Sequence, residues 1–193
     1  MIATHSLPPS RAGTLDLVAG ALALDFCNTS SGRGGPQHQE HLREDGDVLR
    51  WAAHAGLKVP TSGVVLGRAL VLREAVYCIM AARAQGAAPE PAGLDALAAE
   101  HAACLAQARL APAGDAYAWV WDAESAPVAA VLGPIALSAV ALLMQAPARL
   151  KQCQGRHCGW LFLDGTKNRS RLWCEMGVCG NRAKQRRRRG ASA

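Results

Sequence analysis

Apolar residues recur at helical spacing along most of the first 145 positions. From Asp45, Val48, Leu49, Ala52 and Ala55 fall on one side of a helix that Gly56 closes. Trp51 and His54 ride along it as packing or surface residues. From about 62 to 85, Leu66, Ala69, Leu70, Val76, Tyr77, Met80 and Ala84 keep the spacing, with Arg73 and Glu74 beside the stripe as a buried or half-buried ion pair. Ala87-Ala-Pro-Glu-Pro leads to a third helix over 93–108, patterned by Leu94, Leu97 and Leu105. His101 on that stripe reads as a hydrogen-bonded core histidine. Tyr117, Trp119 and Trp121 alternate after a Pro-Ala-Gly-Asp turn, which predicts a small hairpin covering one end of the helices. A last helix runs from about Pro127 to Gln145, bent or restarted at Pro134.

The first forty residues are less regular. Residues 1–14 read as a loose leader, Leu15 to Leu24 as a short strand turning at Gly20, and Leu24 to Thr29 as a helical turn. Asp25 and Asn28 lie three apart and share a helical face. They either bind a ligand or tie loop backbone together through their short polar side chains. The Gly-rich loop 30–39 reads as exposed and mobile.

Residues 125–148 carry no charge, a stretch long enough to cross a membrane, but eight of them are alanine. Such a stretch suits the centre of a helical bundle, and no membrane partner is expected. Half the residues are hydrophobic while only 5% are aromatic, which favours close-packed helices over a strand sandwich. Charge divides the chain. Residues 149–189 hold twelve Lys/Arg against Asp164 and Glu175, whereas residues 1–148 hold nine against thirteen Asp/Glu. A basic C-terminal segment on a mildly acidic body calls for an anionic partner. The N-terminus shows neither a basic n-region nor an apolar h-region, so a cytoplasmic location is expected.

Cys153 and Cys158, then Cys174 and Cys179, form two pairs with the same gap, separated by a hairpin-sized stretch. Four thiolates in two short knuckles fit one structural Zn²⁺ per chain. Disulfides are the alternative, and they require an oxidising compartment. His157 adjoins Cys158 and can compete with it as a ligand, though the symmetric gap favours the cysteine. Cys27, Cys78 and Cys104 read as small buried thiols. A closed four-cysteine shell leaves no position for water, and no nucleophile–base constellation or phosphate loop is present, so an enzyme is not expected.

The run from Cys158-Gly-Trp-Leu-Phe-Leu-Asp164 through Cys174-Glu-Met to Cys179-Gly-Asn-Arg182-Ala-Lys resembles the CGNR zinc finger. Leu24-Asp25-Phe-Cys-Asn28-Thr29 is similar to the LDFxNT signature of the domain that usually precedes that finger. The resemblance spans about residues 15 to 189 and implies a stress-induced transcription regulator that binds nucleic acid.

The expected fold is mainly α: a helical regulatory or assembly domain with a small β element over 15–146, then a treble-clef-like or ribbon-like finger over 147–189. Within the finger, Trp160–Leu163 reads as a strand, Asp164-Gly165 as a turn and Arg169–Trp173 as the returning strand, followed by a helix from near Gly180. That pairing puts Lys167, Arg169 and Arg171 on one face with Trp160 and Phe162. With Asn181, Arg182, Lys184, Arg186, Arg187, Arg188 and Arg189 they are the candidate nucleic-acid contacts. DNA is the leading partner; RNA or an acidic protein are the alternatives. Homo-oligomers are compatible with this reading, and no motif indicates a small-molecule effector.

Overall fold

The computed structural model describes residues 9–61, 63, 65–145 and 148–190. Residues 1–8 of the expected leader, Ser62 at the expected helix start, and 146 and 147 at the expected domain boundary lie outside the described residues.

Helix α1 spans Leu22–Cys27, α2 Asp45–His54, α3 Leu66–Ala84, α4 Pro91–Leu105 and α5 Pro127–Gln145. The start of α3 is set by its neighbour: the Asp45 carboxylate accepts from the N–H groups of Val65 and Leu66 at 2.8 and 2.7 Å. Gly56 and Gly86, at φ +80° and +74°, close α2 and α3. Ala69, Leu72, Val76, Ile79 and Met80 form the buried stripe of α3, against which α1, α4 and α5 pack. By length and composition α5 could cross a membrane, yet half of its most apolar stretch is buried inside the fold, against α1 and α4. It runs as one helix through Pro134.

Several local expectations give way to side-chain chemistry that periodicity does not report. No strand forms at Leu15–Leu24; the segment instead curls onto α1, because Asp25 Oδ1 accepts from the Ala19 N–H at 3.0 Å. The 30–39 loop is a short hairpin, β1 (Ser30–Ser31) against β2 (Gln39–Glu40), anchored to α3. Its anchor is Arg73, only 3% exposed, which reaches both Glu40 oxygens at 2.6 Å and Glu74 at 2.8 Å. Arg33 clasps Glu74 at 2.7 and 2.9 Å and lies 3.8 Å over the Tyr77 ring. Burial opposes the charge on Glu40, but the Arg73 contacts outweigh it and hold that carboxyl below its usual range.

Strands β3 (Arg109–Ala113) and β4 (Ala116–Val120) make the expected hairpin, but it stands away from the helices. Tyr117 is 72% exposed and Trp119 38%. Only Trp121 inserts, against Gly133, with its Nε1 donating to the Cys104 carbonyl at 2.7 Å. Burial pushes the Cys27 and Cys104 thiols up to about 12, whereas Cys78 is exposed, contrary to expectation. His101 is half-buried and its Nδ1 has no partner among the described residues, so it is not the hydrogen-bonded core residue expected.

The C-terminal segment departs most. Strand β6 (Leu161–Leu163) pairs antiparallel with β5 (Leu150–Gln152), not with Arg169–Trp173. Asp164, fully buried, gathers the following loop instead. It accepts from Thr166 N–H at 2.9 Å, Thr166 Oγ1 at 2.6 Å, Arg171 N–H at 2.9 Å and Lys151 Nζ at 2.7 Å. Burial opposes its charge, yet these donors hold its carboxyl well below the usual range. Leu150, Leu161 and Phe162 join the same buried cluster as α1 and α3. A π-turn (Met176–Gly180) then leads into the basic helix α6 (Asn181–Gly190).

Candidate metal centre

Cys153 follows β5 and Cys158 precedes β6, so the first pair sits in the loop of a β-hairpin. Cys174 follows the Asp164-organised loop, and Cys179 lies in the π-turn two residues before α6. One pair from a hairpin knuckle and one from a helix entrance is the arrangement of a treble clef. A ribbon would take its second pair from another hairpin.

The four sulfurs lie within 4.8 Å of one another. Cys158 and Cys174 are 3.7 Å apart at Sγ, as are Cys174 and Cys179. Tetrahedral ZnS₄ with bonds of about 2.3 Å requires sulfur separations of about 3.8 Å. Disulfides, at about 2.0 Å, do not fit. Cys153, Cys174 and Cys179 are buried and Cys158 is half-buried. His157 is exposed, at φ 59° in the knuckle, and lies outside the sulfur cluster.

The neighbouring backbone is shaped to the cluster. Gly155 and Cys174 direct their N–H groups at Cys153 Sγ, at 3.4 and 3.3 Å, which offsets thiolate charge. A Cβ on Gly155 would lie 2.9 Å from Cys179 Sγ, so only glycine lets the knuckle close.

Asn28 connects the finger to the body. Its Nδ2 donates to the Leu161 carbonyl and its Oδ1 accepts from the Leu161 N–H, both at 2.9 Å, filling the place of a neighbouring strand. Tyr77 Oη donates to Gly159 O at 3.2 Å, and Leu163 N–H donates to Ala19 O at 2.8 Å. Asp25 and Asn28 thus both hydrogen-bond backbone outside their own helix, at Ala19 and Leu161.

The candidate cations fall into two groups. Arg171 is spent on the fold. Its guanidinium stacks 4.3 Å from the Phe162 ring and donates to the carbonyls of Trp173 at 2.9 Å, Val18 at 3.1 Å and Cys174. It does not share an outward hairpin face with Lys167 and Arg169, because that hairpin does not form. Lys167 and Arg169 are exposed in the loop. On α6, Ala183 faces inward while Arg182, Lys184 and Arg186–Arg189 are exposed. Asn181 is also exposed, its Nδ2 donating to Gly177 O at 2.9 Å.

A cleft of about 840 Å³ opens beside the cysteine cluster, between the finger and the β1–β2 hairpin. Arg11, His38, Arg156, Arg182 and Arg186 line it. Sequence reading singled out neither Arg11 nor Arg156; the position of Arg156 inside the knuckle was the one signal that pointed to it.

A family model for the CGNR zinc finger matches residues 149–190, and the cluster is accordingly the site of one structural zinc ion held by Cys153, Cys158, Cys174 and Cys179. No curated protein matches the chain at significance. Neither matching family is described as an enzyme. The ABATE family, described as "Putative stress-induced transcription regulator", matches residues 20–146, and the chain belongs to that family, with a CGNR zinc finger following the ABATE domain.

Proposed function

We propose that the protein is a cytoplasmic, DNA-binding transcription regulator whose zinc-held helix α6 lies on the nucleic acid. The observation that carries this reading is α6 itself. It has six exposed Lys/Arg and no acidic residue, and it starts two residues after a zinc ligand. Zinc fixes the direction of the helix, so its first cations, Arg182 and Lys184, hold set positions. Lys167 and Arg169 flank them from the loop, and Arg186–Arg189 add affinity through phosphates. The ABATE domain senses a signal or mediates assembly, including homo-oligomers.

Competition binding at matched salt, with duplex DNA against single-stranded DNA and RNA, tests the reading. Duplex preference is expected. Preference for RNA would make this an RNA-binding finger, and negligible affinity for all probes would make α6 a contact for an acidic protein.

A further inference from the structure

The arginines of this molecule divide by what they touch. Arg33 and Arg73 are spent on Glu74 and Glu40, Arg50 on Glu44 and Asp47, Arg68 on Glu100, and Arg171 on carbonyls. Arg11, Arg156, Arg182 and Arg186, by contrast, have no ion pair and donate to no cysteine sulfur among the described residues. All four line the one cleft, where the opposing carboxylates are Asp16 and Glu175. Arg182 and Arg186 are one helical turn apart and so point from the same face of α6.

The cleft belongs to neither half alone. Arg11 and His38 come from the ABATE side, and Arg156 and His157 from the zinc knuckle. The two sides are pressed together where Gly35 meets His157: a Cβ at position 35 would lie 2.4 Å from the His157 Cβ. Its volume of about 840 Å³ is within the usual range for small-molecule pockets. Guanidinium groups match phosphate in geometry as well as charge.

We propose that this cleft is an effector site for a compact phosphorylated small molecule, and that its occupancy opposes nucleic-acid binding by engaging Arg182 and Arg186. The second part rests on the nucleic-acid reading above; the first does not. A ligand held by those two arginines removes them from phosphate contacts, so the antagonism is reciprocal.

Zinc-loaded protein is titrated with ADP and with inorganic phosphate, zinc content being checked afterwards. Saturable binding is expected. Arg11→Ala combined with Arg156→Ala should weaken it at least ten-fold with zinc content and far-UV circular dichroism unchanged, since neither side chain holds the fold. In the wild type, ADP should raise the apparent Kd for duplex DNA in step with occupancy; in the double variant this effect should vanish while affinity without ADP is kept. No saturable binding of either probe, or ADP affinity unchanged in the double variant, overturns the site. Binding of ADP that leaves duplex affinity unaltered overturns the antagonism. If the wild type binds no duplex at all, the nucleic-acid reading fails while the ADP titration still decides the site.

Discussion

Asn28 places both ends of its amide on a single residue 133 positions away, the N–H and C=O of Leu161, inside the core. Removing the amide leaves two buried backbone groups without partners, at about 1–3 kcal/mol each. Asn28→Ala should therefore lower unfolding free energy by about 2–4 kcal/mol in urea titrations. Asn28→Asp, which keeps the shape but sets a carboxylate against the Leu161 carbonyl, should cost more than alanine at pH 7, and the gap should narrow in acid. Asp25 makes a separate prediction. Burial raises its pKa from 3.8 to about 6, against the opposing hydrogen bonds from Ala19 and Val18. Between those values the folded state binds the proton more tightly, so this residue's contribution to stability is greatest in acid and falls as pH rises through about 6. Asp25→Asn keeps an acceptor for Ala19, and the difference in Tm between variant and wild type should grow in the variant's favour from about pH 4 to about pH 7. A constant difference would mean that Asp25 titrates as an exposed carboxylate does. The three-residue spacing of this pair was legible in the sequence. Their partners were not, because a hydrogen bond to distant main chain leaves no periodic trace.

Among the elements, those with long apolar stripes were legible: α2, α3, α4 and α5 stand close to where the spacing of Val48, Leu66, Leu97 and their neighbours puts them. The cysteine spacing likewise disclosed the metal centre. Pairing in the finger was not legible. Leu150–Gln152 is three residues long, too short to carry a periodic signal, and its Lys151 is held by Asp164 and by the carbonyls of Arg169 and Arg171. The consequence is that β5 and β6 are built into the ABATE core instead of standing apart from it. Zinc removal should therefore act at two levels. Helix α6, ten residues long, is too short to persist alone and should lose its signal in far-UV circular dichroism. The helices α2–α5 should remain at about 25 °C, but with Tm lowered by about 5 °C or more, since the knuckle that sets β5 against β6 is gone. Cys174→Ser should reproduce both effects. An unchanged Tm would show that the finger and the body are thermodynamically separate.

Across the whole molecule, twelve Lys/Arg and two acids in residues 149–189 face a body of opposite sign, and the fold decides which of those cations can meet a partner. Lys151 and Arg171 hold loop carbonyls and are not among them. Arg171→Ala should accordingly lower stability without a selective effect on binding. The exposed cations then divide by how firmly zinc places them. Arg182 follows Cys179 by three residues, on the first turn of α6, whereas Arg186–Arg189 occupy its far end. Each phosphate that a substitution leaves without its cation should flatten the salt dependence of duplex binding by about one unit of slope. Replacing Arg186–Arg189 with alanine should weaken binding to all sequences alike, because cations at a helix end distant from the zinc carry charge more than register. Replacing Arg182 should also narrow the ratio of specific to non-specific affinity, by about ten-fold if its fork reads a guanine edge. Filter binding or anisotropy over a salt series, with one preferred and one random duplex, separates the two effects. If Arg182→Ala keeps full discrimination while the tail replacement abolishes it, the reading and anchoring roles are reversed, and the zinc serves to carry the far end of α6 to the bases.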